Sequence, residues 1–526
     1  MGISITNLFE KFEKKYQVDK YFRIFILIIF IIIFCFVYIQ GPLFRSNQHT
    51  KFLHGLAKAG YGYLKYDWLA NTIDPLPVFS FLVYITMKFL HQYMFYLYFV
   101  IIIGVYIFSI IKILSNIFDF NNSLYKNIIY FTVISLLHST ILFDTISYKL
   151  FHYRLIELFV EEGVAGQYLI GRSFQPCVFG VFLILSIYLF IKNKPFWAVF
   201  FLGIASTFHI AYLFSSGVLT LSYMIILYKE ERKLLKPFLI GLISLMLILP
   251  VTFYYLTALK ATTPELSKRA MDILVKIRIP HHSDPKIWLN TSAYIKAIII
   301  GLALFIIRKK RLFLIILVPF ILAILFTIIE FFIENDFIGF LAPWRVSVWL
   351  VPISTCIILG YLLSIILNKF SNMKKNLKTI ILTTSIFILL VFFIAGVDLV
   401  IKNFNLYLNK DHGPMMNFVS KNKSKNDVYL IPDKLLDFRL NTGVPILVSY
   451  KTHPYKDVEL IEWYKRLNDS KLFYNKKDLN KCEILERFKK DYHITHVLII
   501  NKEFDMQLEC LKKIYKDNEY GIYKIR

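Results

Sequence analysis

Long apolar blocks recur along this chain of 526 residues and leave a chain of this kind few folds. A block near twenty apolar residues matches the roughly 20 a helix needs to cross the hydrocarbon of a bilayer. Lipid offers the backbone no hydrogen-bond partners, so such blocks become helices that satisfy themselves. We read eleven spans: Tyr21–Ile39, Met94–Leu114, Lys126–Phe143, Phe174–Ile191, Pro195–Tyr212, Leu213–Tyr228, Lys236–Thr257, Thr291–Ile307, Leu312–Ile333, Val346–Leu367 and Thr379–Val397. The run from Pro195 is divided because His209, Ser215, Ser216 and Gly217 suggest a turn at the membrane surface. "PVFSFLVYITMKFL", residues 77–90, is too short to span and reads as a re-entrant or surface-lying helix.

Charge orients the spans. Lys and Arg outnumber Asp and Glu by 61 to 36, a net +25. Such an excess in a soluble chain points to nucleic acid, but no nucleic-acid-binding motif accompanies it here. The charge lies instead in short loops: "KFEKKYQVDKYFR" before the first span, then Lys192–Lys194, Lys229–Lys233, "RKKR" at Arg308–Arg311, and Asn368–Lys378. With eleven spans all fall on one side, which the positive-inside rule makes the cytoplasm. The N-terminus is then inside and the C-terminus outside. No small-x-small cleavage site follows the first block, so it reads as an anchor rather than a removable signal.

The composition changes at Asp398. Residues 1–397 are expected to form the polytopic domain, with a first outer loop at 40–76, and residues 398–526 an extracytoplasmic α/β domain. There, "DVYLIP", "PILVSY", "THVLII" and "YGIYKIR" read as strands, and "DVELIEWYKRL", "KCEILERFKKDY" and "QLECLKKIYK" as helices. That alternation predicts a largely parallel sheet. Cys482 and Cys510 lie in this region and could form a disulfide outside the cell, whereas Cys35, Cys177 and Cys356 sit in apolar segments.

On this topology the long polar loops face outward and carry the candidate chemistry. Asp67 and Asp74 stand in "GYGYLKYDWLANTIDPLPVF". Each reads as a general base or metal ligand. Asp74, just before Pro75, reads equally as a helix cap. In the second outer loop Glu157, Glu161 and Glu162 follow Arg154 at helical spacing, as a solvated amphipathic helix or an acidic rim. Arg172 and Gln175 precede a span, and Arg suits a lipid phosphate or simple snorkelling. Arg345 opens another span at the outer end, against the trend of the other charges, and so is expected to meet an anion. His209 is an ionisable group within an apolar run. His281, His282 and Asp284 form a weak metal signal. Arg439, Lys451, His453, Tyr455, Asp457, Glu462, Trp463 and Arg466 are dense in groups that bind sugar hydroxyls and phosphates, or form an ordinary solvated face. No Walker A loop, GxSxG, HExxH or Rossmann fingerprint is present, which argues against an ATP-driven pump and a serine or zinc hydrolase.

The plan of one basic N-terminus, one span, a long acidic outer loop, a surface helix, a many-helix body and a soluble α/β domain resembles the GT-C superfamily of membrane glycosyltransferases. The motifs "DWLAN" with "DPLPVF", "GRSFQP", "PWRVSV" and "FRLNTGVPI" with "EWY" resemble an uncharacterised bacterial branch of it. The resemblance implies a bacterial cytoplasmic membrane protein that moves a sugar from a polyprenyl-phosphate donor to an envelope glycan, lipid or protein at the outer leaflet. In it Asp67 deprotonates the acceptor, Arg172 and Arg345 hold the lipid phosphate, and Tyr63, Tyr66 and Trp68 stack on sugar. A divalent metal is part of the chemistry of some members, but the outer loops here lack a DxD or ExD pair, and the C-terminal domain lacks a WWD-type motif. Two other readings stay open: a non-catalytic partner in envelope assembly, which the missing DxD favours, and a transporter of lipid-linked sugar, hinted at by His209, Pro250, Pro319 and Pro352.

Overall fold

The computed structural model describes residues 5–45, 47–120, 123–333, 336–370, 375–408, 413–433, 435–475, 480–501 and 508–526. It is a helical, polytopic, membrane-like fold that carries a small C-terminal sheet.

Among the described residues seven helices are long and apolar enough to cross a membrane: Lys20–Val37, Met94–Phe118, Ile210–Glu231, Leu235–Ala258, Leu312–Ile333, Asp336–Asn368 and Asn376–Asn405. This falls short of the eleven expected, and the differences have local causes. The expected span Lys126–Phe143 is two helices, Leu124–His138 and Phe143–Phe151, bent by 50°. At the break the Thr140 N–H and hydroxyl both donate to the Val37 carbonyl, so the chain ties itself to the end of the first long helix instead of continuing its ladder. Pro176–Ile191, Pro195–Phe208 and Thr291–Ile307 are apolar but shorter. Prolines fix two of those starts, at the position where a missing N–H costs nothing. At the third, the Asn290 side chain caps the Ala293 N–H.

The division of the run from Pro195 is real but sits at His209, where a 3-10 turn, Ile210–Tyr212, interrupts the helix. Ser215, Ser216 and Gly217 lie inside the following helix, Leu213–Glu231. The short segment after the first loop is the helix Pro77–Phe89. The helix beginning at Lys375 runs to Leu408, through the change in composition at Asp398.

The C-terminal sheet corrects the expectation of a largely parallel one. Strands β1 (Tyr429–Leu430), β2 (His496–Ile500), β3 (Leu511–Lys516) and β4 (Tyr520–Ile525) take the order β1-β2-β4-β3. Only β1 and β2 run parallel, and β4 pairs antiparallel with both neighbours. The reason is the segment read as the helix "QLECLKKIYK". Its described part is β3, turned straight back into β4 by a tight loop in which the Asp517 carboxylate accepts from the Glu519 and Tyr520 N–H groups. A hairpin can only be antiparallel. "PILVSY" contributes only isolated bridges, Ile446 to Tyr429 and Ser449 to Thr452. The helices Asp457–Tyr474 and Lys481–Tyr492 form as expected, and Cys482 and Cys510 are joined by a disulfide.

This domain does not own its core alone. Trp463, Leu467, Phe488 and Val497 bury together with Ala270, Ile273 and Leu274 from the loop after Ala258. Burial of each large side chain contributes about 1.5–3 kcal/mol, so the sheet domain and that loop stabilise each other. Further ties reach the first outer loop. The Tyr63 N–H donates to the Gly443 carbonyl at 2.8 Å. Gly62 (φ +53°) faces Gly443 so closely that a Cβ on Gly62 would stand 2.4 Å from that carbonyl oxygen. Glu459 accepts from the Ile73 N–H at 3.1 Å, and Asp457 accepts from Thr262.

Candidate functional site

Where the helical body meets the C-terminal domain, a cavity of about 1010 Å³ opens. Its wall is built from helix ends. Arg172 and Gln175 lead into the turn Pro176–Gly180, His209 sits in the break after Phe208, and Arg345 lies in the turn Pro343–Val346. Prolines start two of these turns; Gln175 before Pro176 is extended, whereas Ala342 before Pro343 is left-handed at φ +48°. The loops contribute Lys51, Arg154, Glu161, Glu162, Arg278 and His282, and the C-terminal domain adds Asp433, Tyr450, Lys451, His453, Tyr455 and Lys471.

The lining is strongly cationic. Seven Lys and Arg side chains face three carboxylates: Lys51, Arg154, Arg172, Arg278, Arg345, Lys451 and Lys471 against Glu161, Glu162 and Asp433. Two of the carboxylates are spent on particular partners, while Asp433 has a buried Oδ1 without a hydrogen-bond partner among the described residues. Glu162 meets Lys296 at 3.2 Å. Glu161 is 2% exposed, accepts from the Tyr38 hydroxyl at 2.6 Å and lies 3.7 Å from Arg154. Arg154 also binds Asp144 at 2.9 Å, and Asp144 in turn pairs with Arg172. On the opposite wall Arg278 donates to the Lys451 carbonyl at 2.8 Å and lies over the Tyr450 ring, while its Nε is buried without a partner. Arg345 makes no ion pair among the described residues. Seven cations thus stand against three acids on the cavity, and among the described residues Arg278 and Arg345 make no ion pair, while Asp437 lies near Lys451 and Asp433 near Lys471.

Burial, opposed by Tyr38, Arg172 and Arg154, pushes the Glu161 carboxyl up to about 6. Burial, with neighbouring cations, pushes His282 and His453 down to about 3. Burial and the nearby Arg278 guanidinium hold Lys451 below its usual value. Both histidines are therefore neutral near pH 7. His282 directs Nδ1 to the Ala165 carbonyl at 2.7 Å, which leaves Nε2 for another partner.

The sequence candidates divide. Arg172, Gln175, His209 and Arg345 come together on this cavity, although the chain places them far apart. Asp67 does not. It is fully buried, caps the Leu69 N–H at 3.0 Å, accepts from the Ile446 N–H at 3.1 Å and pairs with Arg439 at 3.2 Å. Asp67 and Arg439 thus bind each other, and neither lines this cavity. Asp74 accepts from the Leu76 N–H and the Ser80 hydroxyl at the entry of helix Pro77–Phe89, as a cap does, with Lys58 3.7 Å away. Tyr66 lies under Lys65 and Lys425, and Trp68 under Arg466 at 4.3 Å. Neither lines the cavity. Glu157–Glu161 is one wide helical turn, not a solvated amphipathic helix, and Glu161 points inward. Among the described residues no group of three or more His, Cys, Asp or Glu is placed to hold a metal ion.

Sequence reasoning missed Arg278 altogether. Its only signal is an Arg in a polar outer loop beside "PHHSDP". Residues 410–470 match a family described as a domain of unknown function, DUF6798. That stretch contains the domain's share of the cavity up to His453 and Tyr455, and also Arg439 and Gly443, which grip the first loop. No curated protein matches the chain.

Proposed function

We propose that the chain is a membrane glycosyltransferase that moves a sugar from a polyprenyl-phosphate donor to an envelope acceptor at the outer leaflet. One observation carries the reading. A cavity of about 1010 Å³, at the junction of an apolar helical body and a polar domain, has seven cations against three acids and one buried carboxyl near 6. The first suits an anionic leaving group. The second suits a proton acceptor working near neutral pH.

In this reading Glu161 takes the base role. The acceptor O–H proton passes to its carboxylate as the acceptor oxygen bonds to the sugar's anomeric carbon. The bond from that carbon to the lipid phosphate oxygen breaks, and the electron pair leaves with the phosphate. Arg345, Arg278 and Lys451 stabilise that charge, and the rings of Tyr168, Tyr450 and Tyr455 offer faces for the sugar.

The eleven-span topology belongs to the same proposal. The seven long helices, the bent pair counted once, and Pro176–Ile191, Pro195–Phe208 and Thr291–Ile307 make up that number, with Pro77–Phe89 lying at the outer surface. The disulfide supports an extracytoplasmic C-terminal domain, since such bonds persist in oxidising compartments. A second reading, a carrier of lipid-linked sugar, draws on the helix break at His209, whose Nδ1 is buried without a partner.

The test compares cells carrying wild type, Glu161→Gln and Arg345→Gln at matched membrane levels, by mass spectrometry of envelope glycans and lipid-linked sugars. Transferase action requires both variants to lose one glycan and build up one precursor accessible from outside. A precursor trapped inside indicates the carrier. Unchanged profiles refute both.

A further inference from the structure

A second basic concavity lies at the opposite end of the helical body. Helix Lys20–Val37 begins there, and its far end reaches the loop carrying the main cavity, where the Gly41 N–H donates to the Arg172 carbonyl at 2.7 Å. Helix Val181–Ile191 runs the other way, from the turn after Gln175 to Lys192. At about 1.5 Å per residue, the 18-residue first helix alone separates the two sites by roughly 27 Å.

This concavity has a volume of about 270 Å³ and is lined by Tyr16, Lys20, Arg23, Ile24, Lys112, Tyr188 and Lys192. Four of the seven are cations and none is an acid. The seven come from four helices, Ile5–Val18, Lys20–Val37, Met94–Phe118 and Val181–Ile191, and from Lys192 just after the last, so the cluster is made by packing and not by a single charged run. Among the described residues none of the four makes an ion pair. The nearest carboxylates are committed elsewhere: Asp19 caps the Tyr21 and Phe22 N–H groups, and Glu13 accepts from the Tyr125 N–H. Lys192 donates only to the neutral Asn116 amide, at 3.2 Å. Four cations held around one hollow repel each other, and the fold leaves the compensating anion out.

Below the hollow the same helix turns apolar and open. Ile24, Phe25 and Ile28 are 45%, 56% and 49% exposed. A ligand with a negative head and an apolar tail matches both parts, whereas a free ion uses only the first. Tyr16 and Tyr188 also line the hollow, and Tyr is enriched at bilayer interfaces. We propose that this hollow binds the phosphate headgroup of an anionic phospholipid, with the acyl chains lying along Ile24, Phe25 and Ile28. Lys20, Arg23, Lys112 and Lys192 bind the phosphate, and the bound lipid fixes the first helix against Met94–Phe118 and Val181–Ile191. The inference is independent of the transferase reading.

The experiment is a lipid titration of the full chain in detergent, followed by native mass spectrometry, with phosphatidylglycerol, phosphatidylcholine and inorganic phosphate as probes. Wild type should retain phosphatidylglycerol in preference to phosphatidylcholine. Lys20→Gln/Arg23→Gln/Lys192→Gln should weaken phosphatidylglycerol at least about tenfold, given the worth of each cation near an anionic headgroup. Arg308→Gln/Lys309→Gln/Lys310→Gln, which removes equal charge from a loop at the same end, should leave it unchanged. Lys20→Arg/Lys192→Arg should retain binding and guards against a folding defect. Equal weakening by the two triple variants would reduce the site to diffuse surface charge and overturn the proposal. Full displacement of the lipid by inorganic phosphate would overturn it as well, and assign the hollow to a free ion.

Discussion

Arg439, in the C-terminal domain, closes on Asp67, in the loop after the first long helix, with Nη1 3.2 Å from Oδ1 and both side chains sealed from solvent. The pair stands 372 residues apart in sequence and joins the two parts of the molecule. A buried ion pair adds little over an apolar one, but an orphaned member is costly.

Arg439→Met should therefore destabilise the chain by about 3–5 kcal/mol, because Asp67 is left buried and charged. Asp67→Asn/Arg439→Met should recover much of that loss. Thermal unfolding in detergent reads both effects. A catalytic Asp67 predicts the opposite pattern: Asp67→Asn unfolding like wild type while activity is lost.

The disulfide between Cys482 and Cys510 ties helix Lys481–Tyr492 to the start of β3 across 28 residues. Closing a loop of that length contributes about 3–4 kcal/mol on the chain-entropy model. Cys482→Ser/Cys510→Ser should unfold its sheet earlier by that amount, while the helical body, which shares none of the loop, keeps its own transition. Limited proteolysis should then cut the C-terminal hairpin first. Alkylation without reductant should label neither cysteine in wild type. Labelling of both would show the thiols reduced and remove one support for an extracytoplasmic domain.

The apolar blocks made the class legible, since nothing but a helical membrane protein tolerates so many. Span number was less legible because hydropathy cannot see where a helix breaks. Thr140 bonding to Val37 and the turn after His209 are set by neighbours distant in sequence. Arg172, Gln175, His209 and Arg345 were legible because polar groups at the ends of apolar runs are conspicuous. Asp67 was conspicuous for the same reason: an acid among aromatics demands a partner, but sequence does not reveal that Arg439, 372 residues away, supplies one. The burial of Glu161 was hidden by spacing that fits an exposed helix equally well. The parallel-sheet expectation failed where alternating "CLKKIYK" carried enough Lys to pass for an amphipathic helix, although its sheet partner lies just across a turn.

His453 and His282 make stability sensitive to acid. Each is held near 3 in the fold, below an unfolded value near 6.5, so the unfolded chain binds more protons. Their contribution is complete above pH 6.5 and is lost progressively as pH falls towards 3. Melting midpoints measured from pH 8 down to pH 4 should decline below about pH 6.5. His453→Gln should start lower at pH 8 but decline less steeply, since one proton-binding site of the unfolded state has gone. Parallel curves for the two proteins would show that His453 is not held neutral.

Glu161 separates a chemical role from a structural one. Burial raises its carboxyl from 4.5 to about 6, so the ionised form costs the fold about 2 kcal/mol above pH 6. That stability is present below pH 4.5 and lost as pH rises through 6. If Glu161 only supported the fold, Glu161→Gln would change stability and leave transfer near wild-type rates. As the base, it must be ionised to act, so sugar transfer in isolated membranes should rise with pH around a midpoint near 6 and then level off. Glu161→Gln should lower the rate by about 10²–10⁴ and flatten that rise, while its melting midpoint at pH 8 matches or exceeds wild type. Retention of the same pH midpoint by Glu161→Gln would assign the titration to another group and overturn the base role of Glu161.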